Sequence, residues 1–175
     1  MEVRRYVVTG GLGAGKTSVV SALRHSVDVV AEPARELIAE RQSAAGESNL
    51  DGRPEQFVEL LIGRSIEKYE SVSDRAVAIF DRGLPDCVAY AAVYGIDTRP
   101  AVEAATNHRY ETPVFVAPPW EEIYATDDMR KATFPQAVAF YLEVVSAYER
   151  LGYEMIALPR TSVEARVAFI MAHLS

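Results

Sequence analysis

The sequence has little of what would indicate a membrane protein, a disulfide-bonded scaffold or a nucleic-acid-binding protein. Its 175 residues include one cysteine, Cys87, so no internal disulfide can form. No apolar run approaches the ~18 residues that a membrane span needs, and the first residues do not form a signal-peptide pattern. The formal net charge of −7 leaves no basic surplus for DNA, RNA or anionic lipid. We therefore expect a cytoplasmic protein without nucleic-acid or membrane partners.

The sequence also lacks the residues for guanine recognition and for a histidine metal site. No N-K-x-D segment is present, so guanine recognition of the common GTPase type is not supported, and the histidines His25, His108 and His173 do not have metal-site spacing. What is present, 49% hydrophobic and 25% charged residues, is ordinary for a globular protein. We expect residues 1–175 to form a single domain, in which any polyphosphate site is locally basic within an acidic whole.

The glycine-rich segment 10–17, GGLGAGKT, has the spacing G-x-x-x-x-G-K-S/T of a phosphate-binding (Walker A) loop. A short β-prone run precedes it and a helical pattern follows it, as this loop requires. Glycine lets the backbone turn sharply, so that successive N–H groups and the positive end of the helix meet an anion. We expect these residues to bind the nucleotide: Gly10, Gly11, Leu12, Gly13, Ala14, Gly15, Lys16, Thr17 and Ser18.

Two side chains of this loop carry its chemistry. Lys16 is expected to place its charge on the β- and γ-phosphates of ATP, and the Thr17 hydroxyl is expected to be a ligand of Mg²⁺. The loop predicts binding of a nucleoside triphosphate, but it leaves open where the γ-phosphate goes.

Strand-like and helix-like segments alternate along the chain. This alternation predicts an α/β protein, here the P-loop NTPase fold, with a five-stranded, mostly parallel sheet and helices on both faces. Ligands of such sheets bind beyond the carboxyl ends of the strands. The expected strands are 1–9, 27–31, 77–80, 113–117 and 153–158; the apolar stripes expected on two later helices are Val138, Leu142, Val145 and Tyr148, and Val163, Val167, Ile170 and Leu174.

The residues that follow the second and third strands are candidate catalytic groups. Asp81 stands where an acid would hold Mg²⁺ opposite Thr17, although it could instead cap the next helix or pair with Arg82. The guanidinium of Arg82 suits a phosphate oxygen or an acceptor substrate. Glu32 faces the same cleft and could take a proton from an attacking hydroxyl, or it could simply place favourable charge at a helix N-terminus.

Three more side chains near the strand ends extend the predicted site. Arg35 and Asp86 could bind the acceptor, although a surface ion pair and a role in starting a helix are the respective alternatives. Arg160, after the last strand, could lie near the nucleotide base or be an ordinary surface arginine.

A charged segment at about residues 120–134 is predicted to form a short lid. Arg130, favoured over Lys131, would close onto the transferring phosphate, exclude water and stabilise the developing charge. The alternative is a solvated cluster of charges.

With these residues considered together, the chain resembles a small bacterial family of P-loop ATPase/kinase proteins, the AAA-like domain proteins, which is similar to the nicotinamide-riboside-kinase domain. The combination of the glycine loop with D-R-G-L-P-D and P-P-W is more specific than the loop alone. The matching segments are VVTGGLGAGKTS (7–18), VVAEPARELIAE (29–40), FDRGLPDCVAY (80–90), VFVAPPW (114–120) and YERLGYEMIALPRTSVEARVAFI (148–170).

The chain more loosely resembles the deoxyribonucleoside kinases. In those enzymes a Glu-Pro pair after the second strand supplies the base, and an acid-Arg pair after the third strand handles magnesium and phosphate. The pairs at 32–33 and 81–82 match, whereas Gly83 stands where those kinases usually carry serine and residues 43–56 lack their base-binding pattern. The resemblance implies a kinase-like cleft and leaves the acceptor open.

These features together predict Mg²⁺-dependent transfer of the γ-phosphoryl group of ATP to a small hydroxyl-bearing metabolite, with a nucleoside-like acceptor as one option. Glu32 would act as the base, and Lys16, Arg82 and Arg130 would stabilise charge on the phosphates. Two alternatives stay open, namely an ATP hydrolase with water as acceptor and a module that binds the nucleotide to control a partner.

Overall fold

A computed structural model describes residues 3–45, 53–72, 76–125 and 131–174. It shows the expected alternation of strands and helices. In chain order the elements are β1 (Arg4–Gly10), α1 (Lys16–Leu23), β2 (Asp28–Val30), α2 (Pro33–Ala45), α3 (Pro54–Ser71), β3 (Val77–Asp81), α4 (Leu84–Val93), α5 (Arg99–Asn107), β4 (Val114–Ala117), a 3₁₀ turn (Glu121–Ile123), α6 (Phe134–Arg150), β5 (Met155–Ala157) and α7 (Val163–Ala172).

The five strands form one sheet in the order β2-β3-β1-β4-β5, and every neighbouring pair is parallel. The central strand β1 pairs with β3 from Arg4↔Val77 to Val8↔Asp81 and with β4 up to Gly10↔Ala117. Because the pairs are parallel, the carboxyl ends of the strands meet at one edge, where the candidate residues were expected. The predicted α/β class and five-stranded sheet are confirmed.

Successive side chains of each strand alternate between two apolar layers, as the pleat requires. Val7 and Phe80 belong to the layer under α2 to α6, while Val8 and Ile79 belong to the layer under α1 and α7. All four are at most 3% exposed, because helices cover both faces of the parallel sheet. Within the described ranges, no helix is both long enough and apolar enough to cross a membrane.

The apolar stripe predicted for α6 is wrong at its centre. Leu142 is 59% exposed, whereas Phe140, Val144 and Tyr148 face the core. Ala137 and Ala147 complete the buried face, and the small size of alanine allows close packing of α6 on α4. The buried face is therefore rotated from the one that larger side chains alone predicted.

Candidate active site

The phosphate loop leaves the sheet at the end of β1 and enters α1 at Lys16. Three of its glycines have backbone angles that other residues rarely adopt, with φ of 139° at Gly10, 65° at Gly13 and 72° at Gly15. A Cβ atom on Gly10 would lie 2.2 Å from the carbonyl oxygen of Ala117 on β4. The first glycine therefore allows the loop to pass directly against the neighbouring strand.

This loop forms the floor of a cavity of about 190 Å³. Its walls come from α2, from the turn after β3 and from the segment after β4. Backbone N–H groups and the cationic side chains around the cavity suit an anion of the size of a polyphosphate. The lining residues are Gly11, Leu12, Gly13, Ala14, Gly15, Lys16, Thr17, Arg35, Arg82, Ile123, Tyr124, Ala125 and Ala132.

Five charged side chains, from α1, α2, the end of β3 and the segments that follow β2 and β3, meet beside the cavity. The Nζ atom of Lys16 contacts the Asp81 carboxylate and lies 3.7 Å from Oε2 of Glu32. The other Glu32 oxygen, Oε1, accepts a hydrogen bond of 3.1 Å from Nε of Arg82. Nε of Arg35 lies 3.5 Å from Glu32 Oε2. Glu32 thus has three cations around it, which offset the cost of burying its charge.

Asp86 lies at the centre of a second buried network. Its Oδ1 atom accepts hydrogen bonds from Thr9 Oγ1 at 2.6 Å and from Arg82 Nη1 at 2.9 Å. Its Oδ2 atom accepts from the Gly83 N–H at 2.9 Å and from Tyr148 Oη at 2.7 Å. Four bonds use the full acceptor capacity of a carboxylate. Asp86 therefore caps α4, the alternative role considered above, and its contact with an acceptor stays a prediction.

Arg82 joins the two networks. It is 3% exposed and adopts a left-handed backbone conformation with φ of 69°, which is unusual for a residue with a side chain. In the part of the chain that the structure describes, its hydrogen-bonded carboxylate partners are Glu32 and Asp86, not the neighbouring Asp81. Burial alone would lower the pKa of the guanidinium, but these carboxylates outweigh it and hold the pKa above its usual value.

Arg166 of α7 is a residue that the sequence reasoning missed. It is 3% exposed, and both of its Nη atoms donate to the carbonyl oxygen of Ala14 in the phosphate loop at 3.3 Å. Burial lowers the pKa of this guanidinium. Arg166 stands three residues after Val163 and four before Ile170, so it lies on the face of α7 that was predicted to be buried. A charged residue within an apolar stripe was the sequence signal that could have identified it.

Arg160 and the described residues of the predicted lid follow β5 and β4, at the edge of the sheet that carries the phosphate loop. Arg160 is exposed and donates from Nη2 to the Pro119 carbonyl at 2.7 Å, which links the segments after β4 and β5. Arg130 lies outside the described residues, and Lys131 is exposed. On the described sides of the lid, Tyr124 Oη donates to the Ala132 carbonyl.

Comparisons with known proteins decide the family. The sequence profile of the AAA domain family matches residues 5–166, which is most of the chain. The chain belongs to the AAA domain family. The resemblance described from its motifs is confirmed. No curated protein sequence matches this AAA domain.

Solved structures of kinases share the fold of this AAA domain. A thymidylate kinase from Ehrlichia chaffeensis aligns over 100% of both chains with a TM-score of 0.67 and 15% identity. A deoxyadenosine kinase from M. mycoides, with the products dCMP and dCDP bound, aligns over 97% of this chain and 98% of its own with a TM-score of 0.66 and 11% identity. The P-loop class predicted for the fold is confirmed.

The NadR protein in complex with NR gives a TM-score of 0.76 at 18% identity. The alignment covers 98% of this AAA domain and 51% of the NadR chain, so the present chain spans about half the length of that protein. At these identities the likeness is one of fold.

The donor atoms expected for Mg²⁺ fit that ion. Thr17 lies on the exposed first turn of α1 and lines the cavity, and Asp81, the last residue of β3, contacts Lys16, the residue before Thr17. Contact with the ammonium of Lys16 shows that Asp81 already accepts a cation at this place. Mg²⁺ prefers hard oxygen donors, of which the protein supplies a few and phosphates and water supply the rest.

Proposed function

We propose that this AAA domain is a Mg²⁺-dependent phosphotransferase that moves the γ-phosphoryl group of ATP to a hydroxyl of a small metabolite. The observation that carries the proposal is the place of Glu32. Its carboxylate is 2% exposed, follows β2, and lies 3.7 Å from the Nζ atom of the loop lysine, Lys16. A base held beside the phosphate site and away from bulk water favours transfer to a bound acceptor.

The side chains around the cavity have complementary roles in this proposal. The loop N–H groups and Lys16 hold the β- and γ-phosphates, and Arg82 donates to the oxygens of the transferred group. The hydroxyl oxygen of the acceptor bonds to the γ-phosphorus, and Glu32 accepts the proton of that hydroxyl. The bond from that phosphorus to the bridging oxygen breaks, and ADP leaves. When bound by Thr17 and Asp81, Mg²⁺ supplies positive charge at the phosphate oxygens.

Two further arginines complete the proposed phosphate and nucleotide contacts. Arg130 is proposed to reach the transferring phosphate from the lid. Arg160 is proposed to lie near the nucleotide base, because it follows β5 at the edge of the sheet that carries the loop.

The acceptor cleft is proposed to lie between α2, α3 and α4. A small cavity there is lined by Glu32, Ser65, Cys87 and Tyr90, among others, and Arg82 lines both this cavity and the phosphate cavity. Its volume of about 10 Å³ corresponds to roughly one water molecule, so an acceptor would need the cleft to widen. Arg35, at the mouth of the phosphate cavity, is the cation proposed to meet the acceptor. The fold shared with thymidylate and deoxyadenosine kinases supports a nucleoside-like acceptor.

The first test is ATP turnover with Mg²⁺, with and without a pool of nucleosides, vitamins and sugars, followed by mass spectrometry of the pool. A product heavier by one phosphate, formed only with the pool, is the expected result and identifies the acceptor. ADP release that the pool does not change would indicate a hydrolase. Measurable ATP binding without turnover would indicate a nucleotide-sensing module.

The Glu32→Gln variant tests the proposed base. We expect phosphoryl transfer to fall by about 10²- to 10⁴-fold, because an amide cannot accept the proton. ATP affinity should be retained, since loss of a carboxylate does not weaken a site for anions. Glu36→Gln is the matched control on α2, the helix that Glu32 precedes, because Glu36 pairs with Lys68 at a distance of 2.6 Å and does not line the cavity. If transfer survives intact in Glu32→Gln, the base assignment is wrong.

A further inference from the structure

We propose that Thr9, Asp86 and Tyr148 are positioning residues that aim the Nη2 group of Arg82 at the γ-phosphate end of the bound nucleotide. This inference rests on the proposed function, in which Arg82 contacts the transferred phosphoryl group. None of the three positioning residues lines the phosphate cavity, so each would act through Arg82.

The donors of Arg82 show which of its atoms is available for a ligand. Nε donates to Glu32, and Nη1 donates to the Gly10 carbonyl at 2.9 Å and to Asp86 Oδ1 at 2.9 Å. Nη2 is buried and has no hydrogen-bond partner among the described residues. Buried donors are almost always paired in native proteins, so we expect the Nη2 group of Arg82 to donate to an acceptor on a bound ligand. Because Arg82 lines the phosphate cavity, an anion there supplies that acceptor.

The charged network indicates which end of the nucleotide Arg82 faces. Its Nε atom is hydrogen-bonded to Glu32, and Glu32 lies 3.7 Å from Nζ of Lys16. The lysine of a phosphate-binding loop reaches the β- and γ-phosphates. Arg82 therefore stands at the γ end, where a third phosphate distinguishes ATP from ADP.

The guanidinium is held by groups from three elements. Thr9 on β1 and Tyr148 on α6 donate to the two different oxygens of Asp86, which lies in the first turn of α4. These bonds fix the carboxylate, and the carboxylate fixes Nη1 of Arg82. Tyr148 is fully buried, so its hydroxyl reaches the cavity only through this chain of contacts. Such a network fixes the orientation of the Arg82 guanidinium. It does so at a residue whose left-handed backbone conformation is itself unusual.

Nucleotide affinity of the full chain is the measurement, with MgATP and MgADP titrated separately by calorimetry. Tyr148→Phe removes one bond to Asp86, and the isosteric Thr9→Val removes one bond to Asp86 and the 3.4 Å bond that Thr9 Oγ1 accepts from Arg82 Nη1. We expect each variant to weaken ATP binding by about fivefold and to leave ADP binding nearly unchanged. Tyr110→Phe is the matched control, because that buried hydroxyl accepts from the Leu84 N–H at 3.3 Å instead. It should leave both affinities unchanged.

A double-mutant cycle shows whether the effect passes through Arg82. Tyr148→Phe should have no further effect on ATP affinity in an Arg82→Lys background, whereas a purely structural role would give additive losses. Additive losses, an equal loss in Tyr110→Phe, or a wild-type protein that binds ATP and ADP equally would each overturn the inference.

The outcomes also separate this inference from the proposed function. If no acceptor is phosphorylated but the ATP-specific losses appear, the proposed function fails and the positioning role stands. If transfer occurs but Tyr148→Phe leaves the ATP preference intact, only the positioning role fails. A wild-type protein that binds neither nucleotide overturns both.

Discussion

The environment of Cys87 shows how packing sets the chemistry of a single residue. The thiol is 1% exposed on α4, and its Sγ atom lies 3.6 Å from Ser65 Oγ on α3. Burial raises the pKa of Cys87 to about 12, and the contact with Ser65 offsets only part of that rise. The thiol is therefore protonated, and chemically unreactive, at neutral pH.

This raised pKa predicts a stability change at alkaline pH. The unfolded thiol titrates near 9.0, so its contribution to stability is fully present below pH 9 and is lost between pH 9 and about 12. The free energy of unfolding should fall across this window with a slope steeper by about 1.4 kcal/mol per pH unit in wild type than in Cys87→Ala. Chemical denaturation at several pH values measures both slopes. Buried tyrosines titrate in both proteins, so equal slopes would contradict the prediction.

Gly10 is the residue at which a single methyl group should matter most. In Gly10→Ala the new carbon would lie 2.2 Å from the Ala117 carbonyl oxygen at a φ of 139°. We expect a loss of about 3 kcal/mol or more in unfolding free energy, measured by denaturant titration.

Gly63→Ala is the matched control for this prediction. Gly63 lies inside α3 with nothing within 4 Å of its would-be Cβ atom. The free energy of unfolding should there rise by about 1 kcal/mol, because alanine favours the helix. A similar effect of both substitutions would show that the contact with β4 is not what requires Gly10.

At this scale, the sequence predicts the residues that belong to local patterns. The glycine loop and the acids after β2 and β3 were found because their spacing and strand-end position are visible in the chain. The partners of Asp86 could not be found in this way, because Thr9 and Tyr148 are 77 and 62 residues away from it in sequence. A tyrosine in an apolar stripe indicates burial but not the acceptor of its hydroxyl.

Among the helices, α7 is tied to the loop through one side chain. Arg166→Met keeps the apolar length of the side chain but removes both donors to the Ala14 carbonyl. We expect ATP affinity to fall about five- to tenfold, because the loop loses a charge-assisted hydrogen bond that fixes its shape. Calorimetric titration measures this. Arg24→Met, an exposed change at the end of α1, is the control and should bind ATP normally.

The helix faces show why patterns of large side chains only partly predict packing. On α6 the pattern missed the alanines at 137 and 147, whose small size lets the helix approach α4. On α7 only Ile170 of the four predicted stripe residues is fully buried, and a charged residue, Arg166, shares that face. In both helices a neighbouring element, rather than the helix itself, decides which residue is covered.

For the whole molecule, ligand linkage gives the simplest test of the phosphate site. A nucleotide that binds only the folded chain stabilises it by about 2.7 kcal/mol at a concentration 100 times its Kd. We expect MgATP to raise the Tm of wild type and to have almost no effect on Lys16→Ala. Lys68→Ala, whose lysine pairs with Glu36 outside the cavity, should respond as wild type does. An unchanged response in Lys16→Ala would show that ATP binds elsewhere.

The architecture was predictable in kind but not in arrangement. Alternating elements require parallel strands with helices on both faces, and the chain has them. The order β2-β3-β1-β4-β5 could not be predicted, because β3 lies between β1 and β2, which both precede it in the chain. Which strand inserts between others depends on contacts between distant segments, and the local pattern of each strand is equally compatible with several orders.

The central place of β1 has a consequence for the way the protein opens. The backbone amides of β1 lie between two ladders, with β3 on one side and β4 on the other. Each amide donates into one of the two ladders, so exchange of the whole strand with solvent requires both ladders to separate, which approaches unfolding of the entire sheet. The strand that ends in the phosphate loop is therefore among the last to exchange, and local fluctuations at the rim leave the base of the loop in place.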